Sequence, residues 1–505
     1  MEVLRTKSVE QSVRDADDPD RGLRRSLGPV QLTAIGIGVI IGTGIFVLTG
    51  EAAGTLAGPA ITLSFVAAAI ACFLAALCYA EFASVVPVAG SAYTFSYASL
   101  GELIAWIIGW DLILELALGA ATVASGWSQY LQVVLTSAPW HASPPAWIFG
   151  DHHNLMAAVI VLVIAGVLCL GIRGSSGLNA VIVAIKLAII VLVIIAGLSY
   201  IHTANWHPFI PPSGSAPAPG GSSSTTLLQN LGVNTGTFGI GGIFTGAALV
   251  FFAFIGFDIV ATNAEEAKRP QRDLPIGIFA SLAICTLLYV AVSLVVTGMV
   301  KYNHINVKAP LATAFQSVGQ NTIATIISYG ALAGLTSVIL VLLMGQSRVF
   351  FAMSRDRLLP PVFAAVSHRF RTPYRTTIAT GFAVAALTFL LPLKTLAELV
   401  NIGTLFAFLL VSIGVIVLRR ARPDLERPFR VPLMPVIPIL SVLASFWLML
   451  NLQTATWIRF GVWMVVGLVV YFGYSMRHSR LVHGEPRASA LDAERTGAER
   501  TPASR

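Results

Sequence analysis

A chain of 505 residues with 56% hydrophobic and 11% charged residues and a mean hydropathy of +0.79 lies outside the range of soluble domains, which carry about 25% charged residues. The composition excludes a soluble enzyme, a secreted disulfide scaffold and a disordered chain. A net charge of +8 would point to nucleic acid in a soluble protein. Here the positions of the basic residues decide what it means.

Twelve apolar segments follow in chain order: 30–50, 58–82, 102–133, 154–172, 178–200, 240–262, 275–299, 321–353, 376–392, 395–418, 433–451 and 456–475. Each is near or above the ~20 residues that a helix needs to cross the bilayer hydrocarbon. The ninth is the weakest, being short and closed by Pro392. The first is too long for a cleaved signal, and Gly50-Glu51-Ala52 after it is no small-residue cleavage site. The expectation is an all-α integral membrane protein with both termini in the cytoplasm.

Charge placement supports this orientation. With both ends inside, the inner side receives Arg5 to Arg25, Arg173, Lys268, Arg269, Arg272, Arg348 to Arg375, the cluster Arg419 to Arg430 and the arginines of the tail. The outer side receives only Lys301, Lys308, Lys394 and Arg459. The long outer loops 134–153 and 201–239 hold no Lys or Arg. This is the positive-inside asymmetry, so the +8 requires no nucleic-acid surface. Cys72, Cys78, Cys169 and Cys285 all fall in apolar spans without metal-ligand spacing, which reads as space filling. No metal and no cofactor are expected.

The stretch 211–225 is a flexible Pro/Gly/Ser linker by composition. Five spans precede it and seven follow. Spans 1–5 and 6–10 then make two five-helix units, and an odd number of spans per unit forces opposite orientation, the geometry of an inverted repeat. The organisation expected is a cytoplasmic tail 1–29, a first repeat 30–200, an extracellular linker 201–239, a second repeat 240–420, two further helices in 421–475 and a cytoplasmic tail 476–505.

Each unit opens with a glycine-broken helix. Span 1 carries Gly36, Gly38, Gly42 and Gly44, and span 6 has Gly256 beside the intramembrane acid Asp258. Mid-helix glycine costs about 1 kcal/mol relative to alanine. Unwound backbone at membrane depth is tolerated only where it lines a cavity or meets a ligand. Half-helix N-termini hold a carboxylate and freed carbonyls hold an ammonium, so the pair suits a zwitterionic amino acid. The alternative is close helix packing, an even contest for Gly36 and Gly38. Packing alone is a poorer account of Gly42-Thr43-Gly44.

At these residues the chain resembles the amino acid permeases of the amino acid–polyamine–organocation superfamily, in particular bacterial relatives of the cationic amino acid transporter branch. The likeness is carried by Ile41-Gly-Thr-Gly-Ile-Phe46, by Phe251 to Ile259 followed by Glu265-Glu266, and by Gly345 to Asp356 with Leu358-Leu-Pro360. It covers roughly 25–475. The resemblance implies a LeuT-type five-plus-five inverted repeat with broken helices 1 and 6 and substrate between them. It implies that Ile40, Thr43 and Gly44 meet the substrate carboxylate, that the carbonyls of Phe252, Ala253 and Ile255 meet its ammonium, that Phe252 is a lid, and that Leu335 borders the side-chain pocket. Gly42, Gly256 and Asp258 support the breaks. Bacterial members often have glycine where this chain has Arg357. Animal members of the branch have fourteen spans, so twelve place this chain with the bacterial relatives and weaken the inference of a cationic substrate.

Ionisable groups inside a membrane are costly and mark function. They are Lys186, Asp111, Glu115, Asp258 and, less clearly, Glu398. Lys186 lies about eight residues into span 5, where the alternative reading is snorkelling toward the cytoplasm. The resemblance implies that its ammonium replaces a coupling sodium ion beside Thr336 and Ser337 of helix 8. Desolvation disfavours a charged lysine, which suits proton loading and release. Asp111 and Glu115 are four apart and share a helix face. Two such carboxylates cannot both be charged cheaply, so one is protonated or paired, with Lys186 the nearest candidate cation. Arg348, Arg355, Asp356 and Arg357 could pair with Glu265, Glu266, Lys268 and Arg269 as an inner gate, although solvated positive-inside charge is the better account of them.

The function expected is import of amino acids across the cell membrane by alternating access, coupled to protons. An exchanger is the same-class alternative and a non-transporting sensor the different-class one. No phosphate-binding loop and no nucleophile–base motif is present in the spans, so an enzyme is not expected. The partners expected are an amino acid, protons and membrane lipid, with no nucleic acid. A small membrane partner is left open.

Overall fold

The computed structural model describes residues 27–85, 93, 97, 101–137, 140–150, 153–171, 176–215, 225–233, 236–262, 267–365 and 372–479. Outside them lie the N-terminal tail to residue 26, Arg173, the linker centre 216–224, Glu265, Glu266, Arg369, Arg371 and the tail beyond 479.

Long apolar runs without strand alternation give helices throughout the described residues. They are α1 (Pro29–Ile40), α2 (Ile61–Val85), α3 (Glu102–Thr136), α4 (Leu155–Cys169), α5 (Ser176–Leu198) and α6 (Gly239–Val250). There follow α7 (Pro270–Met299), α8 (Asn321–Arg355), α9 (Tyr374–Leu390), α10 (Leu393–Ala421), α11 (Val436–Leu450) and α12 (Thr454–Val470). Proline stands in the first turn of α1 and α7, where its missing N–H leaves no bond unmade.

Among the described residues, eight helical stretches are long and apolar enough to cross a membrane. The difference from twelve full-length spans lies in α1, α4, α9 and α11. The first is cut to 12 residues by the break after Ile40. α4 and α11 have 15 residues each, about 22 Å of helix. α9 has 17. The chain beyond the α1 break runs through Gly44–Leu48 and Thr49–Ala52 toward α2, turning at Gly58 (φ 62°) and Pro59.

The packing centres on α3, which lies along α8 and α10, while α7 packs on α1 and α2, and α5 reaches α1 and α8. The glycines of α3 and α8 let the two approach: Gly119 faces Leu342 and Gly345 faces Leu116. α12 is keyed to α3 by stacked indoles, Trp110 on Trp463 at 4.4 Å and Trp106 on Trp110 at 5.5 Å. The Trp110 Nε1–H donates to the Trp463 carbonyl at 3.0 Å and the Trp463 Nε1–H to the Trp110 carbonyl at 3.3 Å.

The C-terminus of α8 closes on Arg357, which has φ 60°. The Leu358 N–H donates to the Met353 carbonyl and the Arg357 N–H to the Ser354 carbonyl. This is the Schellman arrangement, whose left-handed position favours glycine. Where α2 and α10 both near their C-termini, the Arg419 guanidinium forks onto Glu81, with Nε 2.8 Å from Oε1. The Val431 N–H donates to Glu81 Oε2 at 2.7 Å, and Arg427 Nε lies 3.6 Å from Oε1. Cys72, Cys78, Cys169 and Cys285 are free of disulfides, and all but Cys169 are buried.

Candidate substrate site between the two helix breaks

Regular helix stops at Ile40, where Ile41 turns to extended backbone (φ −73°, ψ 95°). It stops again after Val250, where Phe251–Phe254 tighten into a 3₁₀ turn, Ile255 extends and Gly256 takes φ 118°. The two breaks lie against one another. A Cβ on Gly44 would overlap the Ala253 backbone, and one on Gly256 would meet Val39. Gly36 and Gly38 are packing glycines, since a Cβ there would meet Ser281 or Val183 at 2.7 Å. Gly42 has ordinary room, with its nearest neighbour Val338 at 3.7 Å, so close packing does not explain it. Gly44 serves both packing and break.

A cavity of ≈ 430 Å³ of unfilled space opens at this junction. Ile40, Gly42, Thr43, Gly44, Phe252 and Ile255 line it. Glu115, one turn beyond Asp111 on α3, is the charged side chain on its wall, and Leu116, Val123, Val338 and Leu342 make it otherwise apolar. Ala253, Leu335, Lys186, Asp111, Gly256, Asp258, Thr336 and Ser337 are not among the lining residues.

Thr43 is fully buried and its Oγ1 has no hydrogen-bond partner. It fits because α3 presents Gly126, whose Cβ would lie 2.9 Å from that oxygen. An orphaned buried hydroxyl costs about 1–3 kcal/mol, which a ligand accepting or donating at Thr43 would relieve. On the opposite side of the junction, Tyr289 of α7 places its hydroxyl 2.8 Å from both the Ile40 and the Ala253 carbonyl. One hydroxyl hydrogen serves one carbonyl at a time. An arriving ammonium carries three donors and would satisfy what Tyr289 leaves over. The Phe252 carbonyl accepts from the Ile255 N–H at 3.3 Å. Asn401 of α10 donates to the Ala248 and Leu249 carbonyls at 2.7 and 2.9 Å, which the break in helix 6 releases from the α ladder.

Lys186 is fully buried and donates to the Gly38 carbonyl at 2.6 Å. Its stem lies on α8 at Gly334, where a Cβ would be 3.0 Å from its Cγ. The ammonium is turned to α1 and does not snorkel. The hydroxyls of Thr336 and Ser337 are engaged within α8: Thr336 donates to the Leu332 carbonyl and accepts from Trp127 Nε1, and Ser337 donates to the Gly334 carbonyl. Lys186 forms no ion pair with Asp111 or Glu115 among the described residues, because those carboxylates face another way. Asp111 is fully buried with both oxygens unpartnered, and Oδ1 would lie 2.7 Å from a Cβ on Gly403 of α10. Glu115 interacts electrostatically with Asp111 and with Asp258. Asp258 is buried in the first turn of Phe257–Thr262 with Oδ1 unpartnered. Asp356, placed by sequence in a possible inner gate, accepts from the Tyr93 hydroxyl at 2.8 Å.

Sequence reasoning missed Tyr289, Asn401 and Gly126. Each acts across a tertiary contact, and none carries a local pattern that would mark it.

The model of the family described as amino acid permease matches residues 27–472. A branched-chain amino acid permease of Bacillus subtilis is 48% identical over 491 residues, covering 95% of this chain and 99% of the relative. A methylthioribose transporter of the same organism is 46% identical over 484 residues, with the same coverage of both. A vacuolar cationic amino acid transporter of Arabidopsis thaliana is 38% identical over 433 residues, 84% of this chain and 64% of the relative. The match over nearly the whole chain, with the junction at Ile41 to Phe46 and Phe251 to Ile259 inside it, shows that the chain is an integral membrane protein belonging to the amino acid permease family.

Proposed function

We propose that the chain imports aliphatic amino acids across the cell membrane by alternating access, coupled to protons. In this reading twelve spans form a LeuT-type pair of inverted five-helix repeats, with both termini cytoplasmic, an orientation the placement of the basic residues supports. The observation that carries it is the polarity of the junction. On one side stands the orphaned Thr43 hydroxyl, beside the backbone of Gly44. On the other, two carbonyls share the single hydrogen of Tyr289. The first accepts a carboxylate and the second an ammonium. Between them, the apolar wall of Val123, Val338 and Leu342 suits an aliphatic side chain, in keeping with the branched-chain permease similarity.

Lys186 carries the coupling. Protonated, it holds α1 through the Gly38 carbonyl. Deprotonated, it loses the charge that makes such a bond roughly twice as strong as a neutral one, and α1 is released. Asp111 and Glu115 are the further proton-accepting groups, with Glu115 on the cavity wall.

A second reading follows from the methylthioribose transporter: a carboxylate at Glu115 is also an acceptor for sugar hydroxyls. Counterflow in proteoliposomes against the twenty amino acids and methylthioribose separates the two. Competition by leucine, isoleucine and valine is the expected result. Competition by methylthioribose alone would replace the amino acid reading.

A further inference from the structure

Away from the cavity, four charged side chains gather where α10 begins. Lys394 Nζ lies 3.5 Å from the Glu51 carboxylate, each side chain 12% exposed. Glu51 belongs to Thr49–Ala52, which continues the broken helix past Thr43 and Gly44. Lys394 is the second residue of α10. One turn further along α10, Glu398 is buried and accepts from Thr456 Oγ1 at 2.8 Å. It interacts electrostatically with Lys394, with the exposed Arg459 of α12 and with Glu51. Lys394 and Glu398 are four residues apart and share a helix face.

We propose that Lys394 is a positioning residue of the transport cycle, a latch shared between Glu51 and Glu398. This rests on the transport reading above. Ile40, Thr43, Val123, Phe252 and Val338, which line the cavity, are buried, so a wall must move to admit substrate. The segment from Gly44 to Ala52 is a wall with a glycine break at its base, whereas α10 is packed along α3 and α11. Swinging that segment away separates Glu51 from Lys394. With Glu51 withdrawn, the partly buried ammonium draws closer to Glu398, which Thr456 fixes one turn away. The lysine thus keeps an acid partner in both states, and the two acids pull the equilibrium in opposite directions.

The test uses the full chain in intact cells with Val47→Cys as reporter and a membrane-impermeant maleimide as probe. Val47 is buried between Thr43 and Glu51 and faces Gly126. Adding Glu51→Gln is expected to speed labelling about two- to fivefold, the range for a partly exposed ion pair. Adding Glu398→Gln is expected to slow it by a similar factor. The reciprocal pair Glu51→Lys with Lys394→Glu remakes the closed contact with its charges exchanged but removes the contact with Glu398, so labelling is expected to be slowed about as much as by Glu398→Gln, or more. Shifts of the same sign, no shift in either single variant, or a reciprocal pair as fast as Glu51→Gln would overturn the latch in protein that elutes monodisperse. Labelling requires no substrate. Failure of the unsubstituted protein to move any amino acid would therefore count against the transport reading, while the signs of the labelling changes still decide the latch.

Discussion

Lys186 donates a 2.6 Å hydrogen bond to the Gly38 carbonyl, so that a buried ammonium of α5 holds α1 just before its break. Its removal takes away a charge-assisted bond worth about 1.5–3 kcal/mol. Lys186→Ala is therefore expected to lower pH-gradient-driven leucine accumulation about tenfold or more, since 1.4 kcal/mol is tenfold. Leucine counterflow, which needs no net proton movement, is expected to survive. Undiminished accumulation that still follows the pH gradient would remove Lys186 from the coupling.

Thr43 tests the binding site itself. Thr43→Val keeps the volume next to Gly126 and deletes the hydroxyl. Leucine affinity is expected to weaken about tenfold, the loss of one hydrogen bond to a charged group. Thr43→Leu or Gly44→Leu fills the junction and is expected to abolish binding. Scintillation proximity binding on purified protein gives the reading, and normal affinity in both leucine variants would mean that the site lies elsewhere.

Tyr289→Phe removes one oxygen and leaves two carbonyls without their shared donor. A stability loss of about 1–3 kcal/mol is expected, seen as a lower melting temperature in detergent, with turnover falling more than substrate affinity. An unchanged melting curve and unchanged turnover would contradict the role assigned to the hydroxyl.

Arg357 offers a stabilising change. A non-glycine residue in the left-handed region costs about 1–2 kcal/mol, and Arg357 stands there at φ 60°. Glycine relieves that strain, partly offset by about 0.5–1 kcal/mol of backbone entropy. Arg357→Gly is expected to raise the melting temperature with transport unaltered, and a lower one would show that the arginine side chain contributes more than the strain costs.

Glu81 is the junction of two guanidiniums and a backbone N–H. Breaking a buried ion pair costs about 3–5 kcal/mol, discounted here because the Arg419 side chain is 22% exposed. Glu81→Gln is expected to cost about 2–3 kcal/mol, whereas Asp424, whose pair with Arg422 is solvated, is expected to tolerate Asn.

The sequence made the apolar helices and the two breaks legible because both are local. Hydrocarbon-length apolar runs and glycines inside them need no tertiary knowledge. Helix lengths were less legible. α4 ends three residues inside its apolar run, and α11 starts three residues inside its own, after Leu433-Met-Pro435, because hydrophobicity continues through the flanking turns. The role of Gly36 and Gly38 became clear only from Ser281 and Val183, which lie far along the chain. Lys186 was visible as a costly charge, but its partner was not: a backbone carbonyl leaves no mark in sequence. The same applies to Tyr289 and Asn401, whose hydrogen bonds span 249 and 153 residues at their widest.

The most direct measurement is leucine accumulation by purified protein in proteoliposomes under an inward proton gradient. The account predicts accumulation above the external concentration, collapsed by a protonophore and absent in Thr43→Leu. Robust leucine counterflow with no gradient-driven accumulation would contradict proton-coupled import and leave exchange as the activity.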